Sequence, residues 1–403
     1  MTDTRASTLS QMADDYAAFA KSQAASFART YPTAIEAARS FSDLSELMVV
    51  DLGAADGVNS HELIRALERV REGRRLVYAC VDLPSNVWSV SHAHLVREWA
   101  TAYEAGQFAV LPAESTPNEH VVDAGTGVHF HNAHVHARAV GEQFAANPDV
   151  RTIVSHVGVP LHMGLCAPAG SVHIAVSGTT MHWVSDSGQL RSTGSVFPGY
   201  AHHIDEDERQ AWAAAAARDW RQILAYRAQE LAPGGVLVIA IPVAAQEGPA
   251  RDGLYCEINR DMDDVLARWR QEGRIDARVH DAITVPVWMR TTDELEAPFI
   301  TRDPLVDGLR LRHIEVFRLD NPYWDDDPAI FADRYVRSVA AWGGPLFRRA
   351  FALSYPDQAD ALLAAFLAEL EECVRRDTDR YRWDYIEALV VCRKDHPADT
   401  PTQ

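Results

Sequence analysis

The chain has 403 residues, 47% hydrophobic and 24% charged, which excludes a collagen-like, disordered or short disulfide-stapled chain. Lys and Arg number 38 against 57 Asp and Glu, a formal net charge of −19. That field repels nucleic-acid phosphates and anionic membranes, so neither is expected as a partner, and an anionic substrate has to be held by local donors.

Cys80, Cys166, Cys256, Cys373 and Cys392 are scattered and form no CxxC pair, which fits free thiols in a reducing compartment. The opening MTDTRASTLSQMADDYAAF lacks the basic start and apolar core of a signal peptide. The longest apolar stretch, 236–245, is interrupted by Pro242 and is too short to span a bilayer. A cytoplasmic protein is the expectation.

In chain order, residues 14–28 pattern as a helix, with Pro32 marking a break. On that helix Tyr16 and Gln23 lie two turns apart and share a face. A second helical stretch follows, and then a short apolar run, 48–53, reads as a buried strand feeding a turn. Residues 60–72 carry Leu63, Ile64, Leu67 and Val70 at helical spacing, and 76–81 reads as a second buried strand. Further strands are expected at 152–159, 172–176 and 236–241, the last after the Pro233-Gly-Gly235 turn, with a long helix over 206–231 before it. Two later strands are expected at 313–319 and 387–394. Buried strands alternating with helices define an α/β class with a mainly parallel sheet. The expected organisation is an N-terminal helical lid segment (1–47) and a Rossmann-like domain (48–245, 306–320 and 355–403). A mostly helical cap (246–305 and 321–354) is inserted into it.

The turn Asp51-Leu-Gly53-Ala-Ala-Asp-Gly57-Val-Asn59 lies between the first strand and the first helix of that domain. Glycine there lets backbone approach a ligand, and the helix start supplies free N–H groups. Asp82, at the end of the second strand, stands where a carboxylate accepts ribose hydroxyls. A dinucleotide site needs G-x-G-x-x-G, whereas Ala55 fills the second glycine position and Asp51 and Asp56 put negative charge where phosphates would lie. These carboxylates suit a cationic ligand, the ammonium and sulfonium of S-adenosylmethionine.

Further segments extend the pattern. Tyr16-Ala17 through Gln23, then Pro32 and Ile35-Glu-Ala-Ala38, resemble YAxNSxxQ…P-I-x-E-A. The glycine turn resembles DLGCSSGPN, and Asp82-Leu-Pro84-Ser-Asn86 resembles DLPGND. Val159-Pro-Leu-His-Met-Gly164 resembles VPGSFYG, and Ser177-Gly-Thr-Thr-Met-His-Trp-Val-Ser185 resembles SSYSLHWLS. Arg227-Ala-Gln-Glu-Leu-Ala-Pro-Gly-Gly235, Pro286-Val-Trp-Met289 and Tyr335-Val-Arg-Ser-Val-Ala340 follow in order. As an ordered set these resemble the SABATH family of S-adenosylmethionine-dependent methyltransferases (salicylate, benzoate and theobromine type).

The resemblance implies a class I methyltransferase sheet and S-adenosylmethionine as cofactor. It implies cofactor contacts from Tyr16, Asp51, Gly53, Gly57, Asn59, Asp82, Leu83, Leu161 and His162. It also implies a substrate pocket lined by Gln23, Thr179, His182, Trp183, Trp288 and Met289, and a homodimer. The chain departs from the family at Ala20 (a Ser), at Leu161-His162-Met163 (Ser-Phe-Tyr), at Thr179 (a Tyr) and in a longer 107–151 connection.

A carboxylic acid has a pKa of roughly 4 to 5, so at neutral pH it is already a nucleophile and needs no base. The protein has only to position and desolvate it. Gln23 and Trp183 offer uncharged N–H donors for this, and His182, if helical, points about 100° away from Trp183. The expected reaction is therefore conversion of a small apolar or aromatic carboxylic acid to its methyl ester. Ring-nitrogen methylation is the alternative within the family. A metal-dependent hydrolase built on His129, His131, His134 and His136 is a second alternative, although Ala133 replaces the Asp of H-x-H-x-D-H. A cofactor-binding protein without turnover is a third. No metal ligand set is expected.

Overall fold

The computed structural model describes residues 20–83, 86, 88–111, 140–185, 190, 195–198, 206–244, 256–382 and 385–396. Tyr16 and the His129, His131, His134 and His136 cluster lie outside the described residues. Eight strands form one sheet: β1 (Glu46–Leu52), β2 (Arg75–Asp82), β3 (Phe108–Val110), β4 (Thr152–Gly158), β5 (Val172–Gly178), β6 (Leu231–Pro242), β7 (Leu309–Leu319) and β8 (Tyr385–Lys394). Their order is β3-β4-β2-β1-β5-β6-β8-β7, and all pairs are parallel except the two made by β8. The order reverses between β1 and β5. The crevice beyond the carboxyl ends of those strands is where such sheets take ligands.

Side-chain alternation assigns the two faces. Leu47 and Val49 of β1 pack with α1 (Lys21–Ala28), α2 (Tyr31–Ser40) and α3 (His61–Arg71), through Phe27, Ala34, Ala38, Leu63, Ile64 and Leu67. Val50 and Leu52 face the other way, onto Trp220, Ile223 and Leu224 of α6 (Glu206–Glu230); α4 (Trp88–Glu98) and α5 (Ala100–Glu104) precede it in the chain. Pro32 sits in the first turn of α2, where its missing N–H is no loss.

Three findings depart from the sequence expectation. β3 is too short to show a period. β6 begins at Leu231, because the Pro233-Gly-Gly235 turn is absorbed into the strand as a bulge: the register shifts between Val172 and Ile174, and Gly234 takes φ +77°. Packing also crosses two of the expected boundaries. The helices α7 (Cys256–Gln271), α8 (Ala277–Ala282) and α10 (Pro328–Ala352) share an apolar cluster containing Trp269, Val279, Phe347 and Phe351. Helix α11 (Ala359–Arg376), placed by sequence with the sheet, joins that cluster through Phe366, Leu370 and Val374. Conversely α9 (Thr292–Ile300), placed with the cap, buries Leu295 in the sheet cluster and accepts the Trp220 indole N–H on the Leu295 carbonyl at 3.1 Å. Among the described residues no helix is long and apolar enough to cross a membrane.

Candidate active site

The turn after β1 is held by its neighbours on both sides. Gly53 and Ala54 donate their N–H groups to the Val81 carbonyl at 2.8 and 3.0 Å. Ala55 has φ +49°, a left-handed conformation that costs a residue with a Cβ about 1 kcal/mol or more. Both of its peptide groups are clamped. Its N–H donates to Asp82 Oδ2 at 2.7 Å, and its carbonyl accepts from Asn86 Nδ2 at 2.6 Å. Asp82 Oδ1 accepts the Leu83 N–H at 2.7 Å, and burial raises the pKa of this carboxyl. The second motif thus shapes the first.

Asp51 lies beneath the turn, 2% exposed, and its Oδ2 accepts from Ser60 Oγ at 2.5 Å and from Tyr78 OH at 2.9 Å. Burial pushes its pKa up to about 6, against the lowering effect of those two hydroxyls. It braces the start of α3. Asn59 stands in the single turn before α3, its carbonyl accepting the Tyr31 hydroxyl at 2.9 Å. Gly53 has φ +88°, and a Cβ there would sit 2.1 Å from Thr180 Oγ1, so the β1 and β5 turns touch with no room between them. Gly53→Ala is therefore expected to destabilise the fold by at least about 2 kcal/mol, read as a lowered thermal midpoint.

The loop after β4 carries Leu161, 9% exposed and packed with Val157, Val159 and Cys166, and then half-buried His162. Its backbone is tied to α6. Arg227 Nη2 donates to the Gly164 carbonyl at 3.1 Å, while Glu230 Oε1 accepts the N–H groups of Cys166 and, at 3.3 Å, of Ala167. Arg227 and Glu230 pair with each other at 2.6 Å, at 0% and 1% exposure.

At the end of β5, Phe27 of α1 covers Gly178 so closely that a Cβ there would meet the Phe27 Cβ at 2.8 Å. This seats α1 beside the turn 179–183. The buried side of α1 presents Ser22, Gln23, Ser26 and Phe27. Ser22 Oγ donates to Gln23 Oε1 at 2.8 Å, which engages the amide oxygen and leaves the NH₂ group as a donor. Thr179 adopts φ +53°. No helix covers 182–184: His182 lies in a turn closed by the Trp183 N–H on the Thr180 carbonyl at 3.2 Å, Trp183 bridges Val287, and the His182 carbonyl accepts the Trp288 N–H at 2.8 Å. Half-buried Trp183 packs on the edge of the cap cluster, its ring 5.8 Å from that of His182. Burial, with the Arg290 charge beside it, lowers the His182 pKa to about 3, so this ring is neutral. Its Nδ1 and the Thr179 hydroxyl are buried with no hydrogen-bond partner among the described residues.

Trp288 and Met289 diverge, as neighbours on extended backbone must. Met289 joins the cap cluster, on whose edge Trp183 lies. Trp288, expected in the pocket wall, is instead 1% exposed among Val184, Trp212, Ala215 and Ala216, with its N–H donating to Glu294 at 3.3 Å. Its partner is α6, so it supports the turn from behind. Sequence reasoning missed three working parts: Asn86 as a clamp, the Arg227–Glu230 tie, and Ser26 with its partner Glu387. Among the described residues no group of three His, Cys, Asp or Glu is arranged to hold a metal.

A doubly wound sheet with a glycine turn at its switch point, an acidic residue ending the next strand and a helical cap defines a Rossmann-like nucleoside-binding protein. Residues 162–394 match the family described as SAM dependent carboxyl methyltransferase, and the chain belongs to that family. Among curated proteins it is 23% identical over 232 residues to a 3,7-dimethylxanthine N-methyltransferase of Camellia sinensis var. assamica, covering 55% of this chain and 61% of that one. It is 23% identical over 140 residues to gibberellic acid methyltransferase 2 of Arabidopsis thaliana, covering 32% and 36%. The matched region thus spans about three fifths, or less, of these relatives' length. A loganic acid methyltransferase solved with SAH shares the fold, with a TM-score of 0.67 at 14% identity over 97% of this chain and 100% of that one.

Proposed function

We propose that the protein binds S-adenosylmethionine at the β1 and β2 turns and methylates the carboxylate of a small apolar or aromatic acid. Asp51, Asp56 and Asp82 are the charged side chains of those two turns, and Gly53 and Gly57 let the turn pack where a Cβ would clash with Thr180 and Ser91; the acidic set fits a cationic sulfonium nucleoside better than a pyrophosphate. Asp82 would meet the ribose, and the Leu161–His162 loop the base. When bound, S-adenosylmethionine supplies an electrophilic methyl on a positive sulfur.

This chain's own part is to place the acceptor. The Gln23 NH₂ and the Trp183 indole N–H hold one carboxylate oxygen without a cation that would damp its nucleophilicity. The acid arrives ionised, so no side chain has to remove a proton. The observation that carries the reading is the Ser22–Gln23 bond, which engages the Gln23 amide oxygen and leaves its NH₂ as the group that can donate to an acceptor. Thr179 in place of a tyrosine widens one wall and favours a bulkier or longer acid.

The test is an incubation with methyl-labelled cofactor across aromatic and fatty acids, with an alkali-labile labelled product expected. A labelled product stable to alkali would instead mark nitrogen methylation, the reaction named for the Camellia relative. Label-free products across both panels, with the cofactor bound, would indicate a silent binding protein. The same reading takes the protein as a cytoplasmic homodimer, which sedimentation and fractionation would check.

A further inference from the structure

Helix α1 has eight residues and no side-chain cap at its N-terminus, so its position depends on what grips its buried face. Two hydroxyls one turn apart provide the grip. Ser22 bonds Gln23 and reaches Tyr323, a buried residue of the cap cluster. Ser26 donates to Oε2 of Glu387. Gln23 lies three residues before Ser26, on the same face.

Glu387 sits on β8 opposite Pro242 of β6 and Phe317 of β7, among apolar neighbours, and is 1% exposed. Around it, α1 carries Lys21, Arg29 follows its last residue, β7 carries Glu315 and Arg318, and β6 carries no titratable side chain. Arg29 is engaged elsewhere, over the Phe317 ring at 4.7 Å and paired with Glu315 at 3.5 Å. Among the described residues no cation reaches Glu387 within ion-pair distance, and burial pushes its pKa up to about 8. An acid kept in such a place is neutral at pH 7 and acts through its one hydroxyl partner.

We infer that Glu387 is a positioning residue, which through Ser26 sets α1 so that the Gln23 amide meets the acceptor carboxylate. This rests on the methyl-transfer reading for its purpose, but not for its test. Hydrogen exchange of the amides of residues 21–28, corrected for intrinsic rates, reads the docking of α1 directly. Ser26→Ala and Glu387→Leu are each expected to speed that exchange about tenfold, and Glu387→Gln, which keeps a hydrogen-bonding group, to restore it.

Undocking exposes Glu387 and returns it to the ordinary carboxyl range. Docking is therefore strongest below about pH 4.5 and weakens as pH rises toward about 8. Wild-type exchange should accelerate across that window and that of Glu387→Gln should not. S-adenosylhomocysteine affinity by calorimetry should be unchanged in all three variants. Where an acid turns over, acceptor KM should rise more than kcat falls. Wild-type exchange rates in both Ser26→Ala and Glu387→Leu would overturn the inference whatever the substrate. A failed acid screen with altered exchange would overturn only the methyl-transfer reading.

Discussion

Replacing Gln23 by Leu together with Trp183 by Phe is expected to lower the rate of acid methylation at least about a hundredfold. Gln23→Leu keeps the shape of the side chain, Trp183→Phe keeps an aromatic ring, and each removes an N–H donor. A hydrogen bond to a charged group contributes roughly 1.5–3 kcal/mol, and about 1.4 kcal/mol is a factor of ten in rate. The two donors together therefore account for two or more powers of ten. The proposed cofactor turns follow β1 and β2 and are held by Val81, Asp82 and Asn86. Titration with S-adenosylhomocysteine should give wild-type affinity. Full-speed turnover by the double variant would exclude this pair as the acceptor's holders.

The largest stability effect is expected at Glu230. Arg227 is fully buried, and Glu230 binds it through both carboxylate oxygens, at 2.6 Å to Nε and 2.8 Å to Nη2. Burial alone works against the Arg227 charge, but Cys166 and Glu230 hold it protonated. Glu230→Gln leaves that charge without a counter-ion and weakens the bonds to the Cys166 and Ala167 N–H groups. Removing one partner of a buried pair costs about 3–5 kcal/mol. The denaturation midpoint should fall accordingly, and the Leu161–His162 loop should loosen. An Arg227→Met, Glu230→Leu double variant should lose less than the two single losses combined, because no charge is then stranded. Additive losses would mean that the two residues act separately.

Much of this was legible in the sequence because the central strands are parallel and buried on both faces. Runs such as 76–81 and 236–241 are almost wholly apolar, and that pattern identifies a central strand without help from tertiary context. The glycine turn and Asp82 were legible for a similar reason, since their chemistry is local to one strand–turn–helix unit. What escaped depended on partners far away in the chain. Trp288 and Met289 look alike in sequence as apolar wall residues. Which of them faces α6 is decided by pairing between 182–184 and 286–288, and the pattern of one segment does not carry that information. Glu387 sits in a run that reads as an ordinary strand, Ile386-Glu-Ala-Leu-Val. Only the docked α1 turns its carboxyl from a liability into an anchor. Helix α11 escaped because proximity to β8 in sequence argued for the sheet, whereas its apolar face, Phe366, Leu370 and Val374, fits α7 and α10.

The Ser26–Glu387 contact joins residues 361 positions apart. Loops of that size close slowly, and contacts across them form late. The helix bearing Gln23 therefore reaches its seat on β8 only after that long loop has closed. The clamps of the β1 and β2 turns join residues only 27 and 31 positions apart, so those turns can form well before the inferred seat of α1, which is expected to be the last part of the site to become ordered.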